Sequence, residues 1–249
     1  MSLKLDHIGY NRGSFSLIDI SISVPEGSIL GIGGQNGSGK STLLKLMYGF
    51  YRPDSGRIFL EKKALSEIST REISRNIAVV NQEISEPFNF TALEVVKHSG
   101  YSRNDETISP LEAMEKCGIS HLSNRTFSEL SGGEKRLVII AAAVYQDAKI
   151  ILMDEPTAFL DVDKEERVKA IIRNLNEDGR TLILVLHDIN LLNSICSHVV
   201  LLKEGRIIAE GKKETVLTLE NLENAYSTRF RILEDAGPYK FAPADYKLM

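Results

Sequence analysis

The sequence predicts an α/β fold: a mixed, largely parallel core sheet flanked by helices, an N-terminal antiparallel β layer and an inserted α-helical subdomain. Three patterns carry that expectation. Residues 3–10 and 15–24 alternate apolar and polar side chains, the period of half-buried strands. Apolar runs at 149–153, 181–186 and 198–203 are separated by helical periods at 163–177 and 189–194, and strands that alternate with helices pair in parallel. From about 86 to 147 the strand signal is missing and helical spacing dominates.

The remaining elements follow from local chemistry. Pro25-Glu26-Gly27 turns the chain into a strand over 28–32, glycine-rich residues 33–39 follow, and Leu43, Leu44 and Met47 share one side of a helix over 40–49. Pro53-Asp54-Ser55-Gly56 turns into a strand over 57–60, and 77–80 is a short buried strand ending at Asn81-Gln82. Ser131 opens a long apolar helix that runs to Tyr145, and Gly179 stands where the helix over 163–177 needs a C-terminal cap. Glu204-Gly205 closes a hairpin onto 206–210, and two short helices near 214–226 precede a loosely patterned tail.

Composition narrows the function classes. With 249 residues, 43% of them apolar, the chain can bury a sizeable core, and a net charge of −4 argues against a nucleic-acid binder with a broad basic face. The longest apolar stretch, Leu137–Tyr145, has nine residues, against about 20 for a membrane-spanning helix. Met1 to Asp6 lacks the form of a signal peptide, and Ser2 excludes an N-myristoyl anchor. Cys117 and Cys196 have no companions at metal or redox spacing, and Cys196 reads as a small buried hydrophobe. The expectation is a soluble cytoplasmic chain that reaches a membrane only through a partner.

Gly34-Gln35-Asn36-Gly37-Ser38-Gly39-Lys40-Ser41 fits G-x-x-x-x-G-K-[ST] between a strand and a helix. Glycines let backbone N–H groups converge on phosphate oxygens, and the helix that follows presents its positive end to them. Lys40 is placed to reach the β- and γ-phosphates, and the Ser41 hydroxyl to ligate Mg²⁺.

A second set of residues completes a hydrolytic site. The strand Ile150–Met153 delivers Asp154 and Glu155 at its C-terminal end, where open α/β sheets bind ligands. Asp154 suits a Mg²⁺ site through water, and Glu155 suits polarising the attacking water. Alone, the pair reads equally as a solvated acidic turn. His187 follows the strand over 182–186; position near a γ-phosphate is its case, a simple turn residue the alternative. The amide oxygen of Gln82 could touch Mg²⁺ or its water. Ser131 and Glu134 form a capping box, which explains both residues structurally but not the intervening Gly132 and Gly133. Those glycines make the helix start a second anion-accepting surface.

The phosphate loop, Gln82, Leu130-Ser131-Gly132-Gly133, Asp154-Glu155 and His187 occur in an order that resembles the nucleotide-binding domain of ABC ATPases over nearly the whole chain. The resemblance implies a P-loop NTPase of ABC type, with residues 34–41 and the adjoining Thr42 as Walker A, Gln82 as Q-loop and 130–134 as signature. It implies Ile150–Glu155 as Walker B, Asp161 as the D-loop carboxylate, His187 as the switch histidine and Tyr10 as the ring that stacks on adenine; a plain strand tyrosine is the alternative for Tyr10. It further implies ATP and Mg²⁺ as cofactors and a head-to-tail homodimer in which Ser131 to Gly133 act on the partner's nucleotide. Integral permease subunits would be direct partners and a substrate-binding protein an indirect one, with no nucleic acid. Glu134 departs from the usual Gln, and its charge would repel a nucleotide unless it faces the ribose, Lys135 or Arg136.

By the same resemblance, residues 1–85 and 148–227 form the core with the β layer, 86–147 the helical subdomain and 228–249 a tail. His187-Asp188-Ile189-Asn190, Pro87-Phe88-Asn89-Phe90-Thr91, the 201–206 hairpin, Val216-Leu217-Thr218, Asn221-Leu222 and Tyr226 resemble the importers of iron–siderophores, haem and cobalamin. A soluble ABC ATPase of iron–sulfur cluster assembly is the open alternative. DNA-repair types need a long coiled coil before the signature and translation factors carry two such domains, and neither feature is found here.

Overall fold

The computed structural model describes residues 1–82, 90–103, 108–233 and 240–244. Strands β1 (Leu3–Arg12), β2 (Phe15–Val24) and β3 (Ile29–Gly34) lead to helix α1 (Lys40–Met47), β4 (Ser55–Leu60) and β5 (Lys63–Ala64). Next come α2 (Thr70–Asn76), β6 (Ile77–Val80), α3 (Ala92–Ser99), α4 (Pro110–Lys116), α5 (Gly132–Gln146) and β7 (Ile150–Asp154). The chain continues through α6 (Val162–Glu177), β8 (Thr181–Val185), α7 (Ile189–Ile195), β9 (His198–Lys203) and β10 (Arg206–Lys212). It ends in α8 (Lys213–Val216), α9 (Leu219–Tyr226), β11 (Phe230–Ile232) and β12 (Phe241–Pro243). Two compact units result, Met1–Glu67 with Ile183–Met249, and Ile68–Leu182.

In the first unit an antiparallel layer has the order β2-β1-β4-β5. Leu3 pairs with Val24 and Leu5 with Ile22, so the apolar positions of both strands face one side and are buried there. Strand β3 pairs in parallel with β9, from Leu30↔His198 to Gly34↔Leu202, and β10 runs antiparallel to β9. Leu186, just past β8, donates its N–H to the Ile32 carbonyl at 3.1 Å. All six residues of β3 are buried, which is why it reads as an apolar and glycine run without alternation. Helix α7 packs on β3 and α9 on β9.

The loosely patterned tail contains structure that sequence periodicity does not reveal. Three-residue strands β11 and β12 pair antiparallel, and Asn190 fastens β12 by exchanging two hydrogen bonds with the Phe241 backbone, at 2.9 and 3.0 Å. Strands that short carry no readable alternation.

In the second unit β6 and β7 pair in parallel, from Ile77↔Ile150 to Val80↔Met153. Thr181 donates to the Lys149 carbonyl at 3.0 Å, and β8 then carries the chain into the first unit. Helix α5 buries Leu137, Val138, Ile140 and Ala141 and packs against α3 and α4. Capping boxes start α3 at Thr91 with Glu94, α4 at Ser109 with Glu112 and α5 at Ser131 with Glu134. Helix α2, absent from the sequence reading, is capped by Ser69 and buries no residue, so it leaves no apolar period to find. Pro87, Phe88 and Asn89 lie outside the described residues, as do parts of the 228–249 tail.

Candidate functional site

In the first unit β3 delivers the loop 34–39 to the start of α1. Gly34 has φ 139°, and a Cβ there would lie 2.2 Å from the Leu202 carbonyl oxygen, so only glycine fits between strand and loop. Gly39 caps α1 in the left-handed region, and Ser38 turns the loop by donating its N–H to the Gln35 carbonyl at 3.2 Å. Lys40 is 5% exposed, and its ammonium donates to the carbonyls of Gly34 and Gln35, both at 2.8 Å. Gln35, Asn36 and Gly37 form the exposed rim, and Ser41 and Thr42 are half-buried in the first turn of α1.

The loop fits a phosphate group on its own evidence. The buried Lys40 ammonium is turned onto the carbonyls of its own loop, within reach of whatever the loop encloses. Among the described residues Ser38 Oγ is the buried side-chain polar atom with no hydrogen-bond partner, and it sits inside this loop. Both features match an anion-binding cradle at a helix start.

Two further residues singled out from the sequence belong to this unit. Tyr10 stacks on Tyr51 with ring centroids 5.3 Å apart and planes 21° from parallel, and Arg12 lies over the Tyr51 ring. One face of the Tyr10 ring is therefore covered by Tyr51. His187 is exposed beyond the end of β8, and its neighbour Asp188 caps α7 by accepting the Asn190 N–H at 2.7 Å.

The second unit holds the carboxylates. Asp154 is the last residue of β7 and is 6% exposed, while Glu155 follows in the left-handed region at φ 49°. The Gln82 side-chain amide donates to Glu155 Oε2 at 2.9 Å, bringing the ends of β6 and β7 together. Its nitrogen, not its oxygen, makes this contact. The Ser41 hydroxyl on the first unit, and the Gln82 amide oxygen and Asp154 carboxylate on the second, are each hard oxygen donors of the kind Mg²⁺ accepts.

Arg136 is the residue that sequence reasoning underused. It is 4% exposed, and its guanidinium donates to the carbonyls of Asn81 at 2.5 Å and Gln82 at 2.8 Å. Burial lowers its pKa, and the charges of Asp154 and Glu155 act in the opposite sense. The signal was available: on a helix Arg136 shares a face with Ile140 and Ala143, both buried, and a charge in an apolar stripe must have partners.

At the start of α5 the Ser131 N–H donates to Glu134 at 2.7 Å, and the Glu134 N–H returns a bond to Ser131 Oγ at 3.3 Å. Gly132 is exposed and Gly133 half-buried between them. The Glu134 carboxyl is held below the usual range by the Ser131 backbone first, then by the Ser131 hydroxyl and the charges of Arg125 and Lys164. Arg125 lies 3.5 Å from it, while Arg136 is turned instead to the Asn81 and Gln82 carbonyls. Asp161 caps α6, accepting the Lys164 N–H at 3.0 Å and pairing with the Lys164 ammonium, which lowers its pKa. Just before it, Phe159 is 98% exposed in the left-handed region. Cys117 and Cys196 are both buried, which pushes each thiol up to about 12 and removes them from reactive chemistry.

The ABC transporter family pattern matches residues 17–158. The chain is 33% identical to the iron(3+)-hydroxamate import ATP-binding protein FhuC of Bacillus subtilis (strain 168), covering 100% of this chain and 96% of that protein. It is 34% identical to the hemin import ATP-binding protein HmuV of Rhodococcus jostii (strain RHA1), over 94% of this chain and 82% of the relative. Its fold superposes on the ATP-binding cassette MJ0796, solved as a dimer in a post-hydrolysis state with ADP and Pi, at a TM-score of 0.75 and 28% identity over 85% and 98% of the two chains. A phosphate loop, a capped glycine helix start and a strand-end Asp-Glu pair on a chain matched over its whole length place it, as an ATPase, in the ABC transporter family of ATP-binding proteins.

Proposed function

We propose that this chain binds Mg²⁺-ATP in the phosphate loop of one copy against the signature helix start of a second copy, and that hydrolysis drives import through membrane permease subunits. The observation that carries the reading is the Gln82–Glu155 hydrogen bond beside buried Asp154, which ties the candidate base to a residue that can sense the nucleotide. Gly34 to Thr42 would hold the triphosphate, with the Lys40 ammonium leaving its loop carbonyls for the β- and γ-phosphate oxygens. Ser41, Asp154 and Gln82 would hold Mg²⁺, which when bound neutralises charge on those oxygens. Glu155 takes the proton of a water whose oxygen attacks the γ-phosphorus in line, and the bond to the ADP oxygen breaks. His187 would contact the γ-phosphate, and Tyr10 would offer its uncovered face to adenine.

Ser131, Gly132, Gly133 and Glu134 would act on the nucleotide of the second copy, with Asp161 at the same junction. Phe159 and Val162, both exposed and apolar on either side of Asp161, support a face that a second copy covers. Residues 86–147 would serve as the helical subdomain, and 1–85 with 148–227 as the core. No helix among the described residues is long and apolar enough to cross a membrane, so attachment to the cytoplasmic face would run through the permease, with a substrate-binding protein further off. The likeness to hydroxamate, hemin and cobalamin import proteins supports an iron chelate, haem or cobalamin as cargo. Glu155→Gln tests the core of the proposal. ATP binding should persist while hydrolysis falls by about 100-fold or more, the usual worth of a general base; full turnover would remove Glu155 from that role.

A further inference from the structure

The C-terminal helix α9 ends directly against the phosphate loop. Gly34, the first loop glycine, donates its backbone N–H to the Tyr226 hydroxyl at 3.0 Å. In return the Gln35 side-chain amide donates to the Tyr226 carbonyl, which also accepts the Thr228 hydroxyl at 3.3 Å. Two successive loop residues are thus tied to one residue of α9, once through its side chain and once through its backbone. Gly33 makes the approach possible, since a Cβ there would lie 3.1 Å from the tyrosine oxygen and 2.8 Å from Leu192. The phenol is held in place by edge-on packing against Phe230, 5.9 Å between centroids, and α9 is seated on β9 by buried Leu222 and Ala225.

The direction of the Gly34 bond matters. The same Gly34 whose N–H goes to Tyr226 offers its carbonyl to the Lys40 ammonium at 2.8 Å, so the peptide planes on either side of Gly34 are fixed from opposite sides. A glycine has little intrinsic preference to hold such a geometry, and φ 139° is open to almost no other residue. Without an acceptor, the buried N–H would be left unpaired and the loop would turn to satisfy it, carrying the Lys40 anchor with it.

We propose that Tyr226 is a positioning residue for ATP binding: its hydroxyl holds Gly34 so that the loop and Lys40 are set for the triphosphate before nucleotide arrives. The inference rests on reading residues 34–41 as the phosphate loop. Tyr226→Phe keeps the ring and deletes the acceptor, and it is measured in the full chain by titration with Mg²⁺-ATP and with inorganic tripolyphosphate, which has no base. The expected result is an affinity about tenfold weaker for both ligands in the same ratio, with KM raised and kcat at saturating ATP within about twofold. Faster amide hydrogen exchange at Gly34 in the variant reads the lost bond without reference to activity. A purely structural tyrosine would lower the unfolding midpoint and leave both affinities untouched, and that result, or unchanged Gly34 exchange, overturns the proposal. Lys40→Ala separates the two layers. If Lys40→Ala loses ATP and Tyr226→Phe does not, the tyrosine inference alone fails; if Lys40→Ala also binds normally, the loop reading fails.

Discussion

Glu134 puts a negative charge where the resemblance to ABC ATPases implies a neutral amide, yet the charge is not presented bare. Its carboxylate is turned back onto the Ser131 N–H and faces Arg125. As a surface ion pair this contact stabilises the fold by at most about 1 kcal/mol. Its value under the proposed dimer is different, because neutralising Glu134 matters to an approaching triphosphate. Arg125→Gln should therefore weaken apparent ATP affinity for hydrolysis by about threefold to tenfold at low salt, less at high salt, as Coulomb repulsion and screening dictate. Adding Glu134→Gln to that variant should restore the original KM. A double variant no better than Arg125→Gln alone would show that the arginine acts through something other than Glu134. Arg136, two residues on, has the opposite character: it is buried, and its two carbonyl bonds to Asn81 and Gln82 hold the backbone whose side chain reaches Glu155.

Elements place these residues by their ends. Strand β7 finishes on Asp154, and α5 and α6 begin on the capped residues Ser131 and Asp161. Capping alone predicts a modest role for Ser131, since replacing a serine cap by alanine costs about 1 kcal/mol. Helix α4 carries the same box at Ser109 and Glu112, far along the chain from any proposed nucleotide contact. Ser131→Ala and Ser109→Ala should then lower the unfolding midpoint by similar small amounts. Only Ser131→Ala should also lose ATP hydrolysis, by more than tenfold. Equal effects of the two on hydrolysis would reduce the signature serine to a cap. The capping box at Ser131 was legible in the sequence because it depends on residues three apart and on nothing else. Helix α2 and the β11–β12 pair were not, since the first buries no side chain and the second is too short to show a period.

At the scale of the whole molecule the proposed reaction needs two copies, because in it the phosphate loop and the signature helix start would serve different nucleotides. The rate of ATP hydrolysis per chain should rise with chain concentration, and Glu155→Gln with Mg²⁺-ATP should sediment as a dimer while the ATP-free protein stays lighter. A rate per chain independent of concentration, together with a monomeric Glu155→Gln in ATP, would point to one copy completing its own site. The dimeric ADP-bound state of the similar cassette MJ0796 supports the first outcome.

The sequence by itself determined the ABC-type α/β class, the glycine-rich loop pattern, the strand-end carboxylates and the capped helix start at Ser131. Each is a local code: backbone geometry at glycines, side-chain caps three residues apart and apolar runs of strand length all act within about ten residues. Tertiary structure alone decided which distant group each site residue answers to. Tyr226 meets Gly34 across 192 positions, Gln82 meets Glu155 across 73 and Arg136 meets Asn81 across 55. No local pattern encodes such pairings, because a hydroxyl, an amide or a guanidinium accepts any suitable partner. Only the folded backbone brings each group beside one particular segment, and where it also buries the group, as with Arg136, it removes water as the alternative partner.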